Sequence, residues 1–176
     1  GIIVLYCLIG IALYYLQDYF FFQRVPLTRE YKYEFGVPYS EVNLAFDKLS
    51  NINIIQFPGT GKPDRGLVLY FHGNRKNISW YARHAPVMTK NGYAVWMIDY
   101  PGYGKSTGKL EEEVLYAYAL QMYKLARKKY TPDSIILYGR SMGTGIAAHL
   151  ASHQPAKCLI LETPYYSFAT VGAHFF

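Results

Sequence analysis

The chain has 176 residues, 18 Lys and Arg against 12 Asp and Glu, a formal charge of +6, 51% hydrophobic residues and 17% charged ones. That balance fits one globular core with an added apolar segment. It argues against a nucleic-acid surface, because the densest basic run, Lys124, Arg127, Lys128 and Lys129, closes a predicted helix and complements its dipole. The two cysteines, Cys7 in an apolar run and Cys158 in a strand expected to be buried, exclude a disulfide framework.

Gly1 to Leu16 carries no charge and is almost wholly apolar. At 1.5 Å per residue it covers about 24 Å, short of the ~30 Å hydrocarbon core of a bilayer. Aromatic Tyr14, Tyr15 and Tyr19 to Phe22, followed by Arg24, Arg29 and Lys32, resemble an interfacial belt with a basic flank. Residues 1–22 are therefore expected to be a retained single-pass membrane anchor, on a side of the membrane that one flank cannot decide. A cleaved signal peptide and a buried core helix are the other two readings of the segment. Residues 23–176 form the expected globular domain.

Glu41 to Asp47 alternates apolar and polar residues, and Asn51 to Phe57 follows after Lys48-Leu49-Ser50, which predicts an antiparallel pair at a sheet edge. Pro58 to Gly66 is a turn-rich connector. Beyond it, Leu67 to Phe71, Tyr93 to Ile98, Ile135 to Tyr138 and Cys158 to Leu161 are short runs, apolar on both faces. Helix-length segments separate them: Ile78 to Lys90, Leu110 to Lys129, and a third following Ser141 to His153. Continuous apolar strands alternating with helices predict a mostly parallel sheet covered on both faces, an α/β architecture.

The most informative stretch is Gly139-Arg140-Ser141-Met142-Gly143, a G-x-S-x-G between a predicted strand and a predicted helix. In that setting it reads as a nucleophile elbow, whose sharp turn thrusts the Ser141 hydroxyl out at the end of the sheet. A serine nucleophile needs a base to take its proton and fixed donors for the oxyanion. The Met142 N–H, at the start of the helix, is one candidate donor. The other is the N–H of Asn74, because His72-Gly73-Asn74 directly follows the Leu67 to Phe71 strand.

Four segments, Phe71 to Asn74, Asp99 to Ser106, Gly139 to Gly145 and Leu161 to Tyr165, occur in the order and spacing of the α/β-hydrolase superfamily. The chain most resembles its membrane-anchored, lysophospholipase-like and serine-aminopeptidase-like branch, from about residue 15 onward. The resemblance implies an α/β-hydrolase fold, Ser141 as catalytic nucleophile, Asn74 and Met142 as oxyanion hole, and Asp99 to Ser106 as a structural loop beside the site. It implies no cofactor or metal and a small-molecule or lipid-like acyl substrate. It also implies a triad acid after a seventh strand and a histidine after an eighth, whereas only six such strands are counted here. The chain is therefore expected to be C-terminally incomplete and, by itself, nearly inactive.

The other candidates are read more plainly. Glu162 is expected to hydrogen-bond in its turn rather than act as triad acid, and His174 lies past the sixth strand with nothing to position it. His149 and His153 are four apart but lack an H-E-x-x-H pattern, so no zinc site is expected, and His84 reads as a packing or surface residue. Asn77-Ile78-Ser79 has the form of a glycosylation sequon. Arg75 and Lys76, next to Asn74, either hold an anionic head group or form a solvated basic turn. The reading from another functional class is a non-catalytic hydrolase-fold protein that binds a lipid or protein partner at a membrane.

Overall fold

The computed structural model describes residues 1–61 and 63–164, for 17–21 the backbone alone. Its strands are β1 (Gln23–Arg24), β2 (Ser40–Ala45), β3 (Asn51–Phe57), β4 (Gly66–Phe71), β5 (Arg75–Lys76), β6 (Tyr93–Ile98), β7 (Ile135–Arg140) and β8 (Cys158–Glu162). Its helices are α1 (Ile2–Phe21), α2 (Ile78–Tyr81), α3 (Ala85–Thr89), α4 (Glu112–Ala126) and α5 (Met142–His153). Six strands make one sheet in the order β2-β3-β6-β4-β7-β8, with β2 and β3 antiparallel and the four from β6 to β8 parallel.

Period-two geometry distributes the apolar strands over two layers. Leu67, Leu69 and Phe71 of β4 join α4 and α5 residues such as Met122, Ile146 and Leu150 in one cluster. Val68 and Tyr70 of the same strand join Ile78, Tyr81 and Ala85 in the other. The sheet is therefore sandwiched between helices, and every residue of β4 is buried.

Three expectations are corrected. The predicted helix from Ile78 to Lys90 is broken into α2, a 3-10 turn over Ala82–His84, and α3. Pro86, which has no N–H to continue an α-helical ladder, sits in the first turn of α3. Cys158 is exposed, not buried, because β8 is hydrogen-bonded on one side alone, to β7, among the described residues.

The third concerns the membrane anchor. The N-terminal segment is helical, but among the described residues no helix is long and apolar enough to cross a membrane. Nor is α1 a core helix, since every residue from Ile2 to Leu16 is exposed. The aromatic side chains at 19–21 lie outside the described residues, whereas Phe22 packs against the core.

Candidate active site

The carboxyl ends of β4 and β7 converge on Ser141. Strand β7 ends at Arg140, α5 begins at Met142, and the serine between them is held at φ 50°, ψ −119°. A side-chain-bearing residue rarely adopts that conformation, which costs on the order of 1–3 kcal/mol and persists only where the surroundings enforce it. The enforcement is visible on both sides. The Ser141 N–H donates to the Glu162 carbonyl of β8 at 2.9 Å, and the Ser141 carbonyl accepts from the Thr144 N–H at 2.9 Å and its hydroxyl at 2.6 Å.

The two motif glycines are required by close approach. A Cβ on Gly143 would lie 2.1 Å from the Phe71 carbonyl oxygen, and one on Gly139 would lie 2.4 Å from that of Gly143. The start of α5 is thus pressed against the end of β4, with no room for a methyl group. That contact brings the next turn, His72-Gly73-Asn74, beside the serine: a Cβ on Gly73 would be 3.4 Å from Ser141 Cβ.

Ser141, Met142 and Asn74 are therefore gathered at one corner. Met142 opens α5, so its N–H belongs to the first helical turn, whose donors have no acceptor within the helix. Asn74 is half-buried, and its carbonyl accepts the Tyr103 hydroxyl at 2.9 Å. The Tyr100 hydroxyl does the same for the His72 carbonyl at 2.8 Å. The expected structural loop, Asp99 to Ser106, thus clamps the candidate oxyanion turn through two tyrosines.

His72 and Asp99 form a buried pair that sequence reading did not single out. Parallel register sets Phe71 opposite Ile98, so the next residues of both strands leave the sheet side by side. His72 Nε2 approaches Asp99 Oδ1 to 3.3 Å without the alignment of a hydrogen bond. His72 Nδ1 lies 2.7 Å from the Gly73 carbonyl, and Asp99 Oδ1 accepts the Ile78 N–H at 2.9 Å. The Tyr81 ring stacks on His72 at 5.0 Å, and burial pushes its hydroxyl pKa up.

The remaining candidates are engaged elsewhere. Glu162 accepts the Tyr138 hydroxyl at 2.6 Å and lies 3.4 Å from Arg140 Nε, a structural role in keeping with its turn. Burial, and then the bond to Glu162, push the Tyr138 hydroxyl pKa up. His84 Nε2 accepts from the Arg140 guanidinium at 2.9 Å, and burial, Arg140 and Arg83 hold its pKa below the ordinary imidazole value. His149 stacks on Tyr116 at 3.6 Å, and His153 Nδ1 bonds to the His149 carbonyl at 2.9 Å. His174 lies outside the described residues.

Asn77 is buried and caps α2, with Nδ2 donating to the Val25 carbonyl at 2.8 Å, so the sequon nitrogen is already committed. A groove of about 1380 Å³ lies by Gly92, Ala94 and Trp96 at the amino end of β6, away from Ser141.

Comparison with known proteins agrees with this fold. Residues 62–174 match the family described as serine aminopeptidase, S33. The chain belongs to that family of α/β-hydrolases. The chain is 34% identical over 119 residues to an uncharacterized protein of Mycobacterium tuberculosis, covering 66% of this chain and 42% of the relative. It is 36% identical over 106 residues to alpha/beta hydrolase domain-containing protein 17C of Xenopus tropicalis, covering 58% of this chain and 34% of that one. An esterase of Pyrococcus furiosus shares the fold with TM-score 0.64 at 20% identity, over 87% of this chain and 59% of the esterase. The chain thus spans less than half the length of these two curated relatives.

Proposed function

We propose that this chain carries the nucleophile and oxyanion donors of a serine hydrolase acting on the ester, thioester or amide bonds of a small-molecule or lipid-like acyl substrate. The observation that carries the reading is the strained Ser141 at the end of β7, with the Gly73-Asn74 turn against it. In this mechanism Ser141 Oγ loses its proton to a base and attacks the acyl carbon. The N–H groups of Met142 and Asn74 hold the oxyanion. Its collapse breaks the bond to the leaving alcohol, thiol or amine, which takes up the proton, and water then releases the acid from acyl-Ser141. The base is a group other than His72, His84, His149 and His153, whose partners are given above.

The exposed apolar residues of α1 are covered, in this reading, by the acyl chains of a lipid surface without spanning it. The test is hydrolysis of p-nitrophenyl butyrate by the full chain and by Ser141→Ala, in which the chain's low rate should fall to the uncatalysed background. Equal rates would remove Ser141 from the chemistry. The engagement of all four described histidines favours one other reading, a hydrolase-fold protein that binds a lipid or partner without turnover. That reading predicts no hydrolysis by either form.

A further inference from the structure

One cationic cluster is left unused by the site. Strand β1 follows α1 after a single residue, Phe22, and pairs in parallel with β5, with Gln23 opposite Arg75 and Arg24 opposite Lys76. This two-residue ladder sets Arg24, Arg75 and Lys76 side by side on an open groove of about 710 Å³ that also takes in Phe22 and Gly102. Arg24 lies over the Asp99 to Ser106 loop that follows β6, its guanidinium 3.2 Å from where a Gly102 Cβ would be. Among the described residues none of the three cations is paired with a carboxylate. Lys76 is also held at φ 64°, a left-handed conformation that a residue with a Cβ seldom adopts.

Three cations with no carboxylate partner among the described residues repel one another in one groove, and a bound anion would relieve that repulsion. Position narrows the choice of anion. The groove adjoins the end of a helix whose residues Ile2 to Leu16 are all exposed and apolar, and the basic residues begin where the helix ends. Apolar residues first, then Gln17-Asp18, an aromatic run and the cations, match the order of acyl chain, interface and phosphate in a lipid leaflet. On the other side, Arg75 is the residue after Asn74, so whatever occupies the groove stands beside the oxyanion turn.

We propose that Arg24, Arg75 and Lys76 form a docking site for the phosphate head groups of an anionic phospholipid surface, which holds the Ser141 corner toward that surface. The inference rests on the reading of α1 as lipid-covered for its orientation alone, takes its preference for anionic head groups from the groove, and does not require Ser141 to be catalytic.

The test is flotation of the full chain with phosphatidylcholine vesicles and with vesicles containing phosphatidylglycerol. Arg24→Gln/Arg75→Gln/Lys76→Gln is compared with Lys124→Gln/Lys128→Gln/Lys129→Gln, which removes the same charge from the end of α4. The native chain should prefer anionic vesicles by about a hundredfold, on the scale of three basic residues at a membrane surface, and less as salt rises. The groove variant should lose that preference and keep its binding to neutral vesicles, while the α4 variant should keep the preference. An equal preference in all three proteins would overturn the proposal. So would displacement by inorganic phosphate at matched ionic strength, which would assign the groove to a soluble anion. Loss of neutral-vesicle binding by the native chain, with the anionic preference intact, would remove the role of α1 and leave the groove assignment standing.

Discussion

Ser141 stands between two regions that are held by different means. On one side, the end of β4 and the start of α5 are in backbone contact, and β4 is buried along its whole length. On the other, Leu159, Ile160 and Leu161 of β8 are 37%, 41% and 39% exposed, and among the described residues the strand rests on its ladder to β7, on α5 and on the contacts of Glu162. The contrast separates two requirements of serine chemistry. Oxyanion donors are backbone groups, so packing alone can fix them, whereas a base is a side chain that must be brought to the serine from elsewhere in the fold.

The sharpest way to break the contrast is Gly143→Ala. A methyl there meets the Phe71 carbonyl at 2.1 Å, and neither backbone can yield without moving β4 or α5. A loss of about 4–5 kcal/mol is expected, seen as insolubility or a Tm lowered by about 10–20 °C. Two residues on, Gly145 has nothing within 4 Å of its would-be Cβ. Gly145→Ala should therefore gain about 0.5–1 kcal/mol from helix propensity. Similar losses in both would mean that helix flexibility, not the contact with β4, matters here.

Asp99→Ala comes next. It strips the buried Ile78 N–H of its acceptor and leaves His72 without its charged neighbour, at a cost of about 1–3 kcal/mol in chemical denaturation. Asp99→Asn keeps an acceptor oxygen for Ile78 and should recover most of that loss. On the β8 side, Tyr138→Phe removes the bond to Glu162, and about 0.5–1.5 kcal/mol is expected. A larger loss from Tyr138→Phe than from Asp99→Ala would reverse the ranking of the two regions.

The smallest effect is a pH dependence. The folded protein binds a proton at His84 less readily than the unfolded chain, whose imidazole titrates near 6.5. As pH falls below that value the unfolded state gains the proton first, so the contribution of His84 to stability is complete above 6.5 and declines beneath it. Thermal midpoints should fall less between pH 7.5 and 5.5 in His84→Asn than in the native chain. An unchanged slope would show that His84 plays no part.

What could be read from the sequence follows the range of the interactions involved. The elbow, the six-stranded core and the antiparallel pair were legible because each rests on local periodicity and on turn residues close in the chain. The His72–Asp99 pair was not, since it depends on β4 lying beside β6, a neighbour relation that neither residue's surroundings encode. The signal that could have found it was the pair of strands ending in His-Gly and in Asp-Tyr. The β1–β5 ladder escaped because two residues carry no periodicity. Cys158 was misjudged because an apolar run reads the same in a central strand and at an edge.

The central claim, that Ser141 is a nucleophile, is tested most directly by reacting the full chain with a fluorophosphonate and locating the adduct by tandem mass spectrometry. A single adduct on Ser141, absent from Ser141→Ala, is the predicted result. A cooperatively folded chain that takes no label at Ser141, or takes it at another serine, would contradict the account.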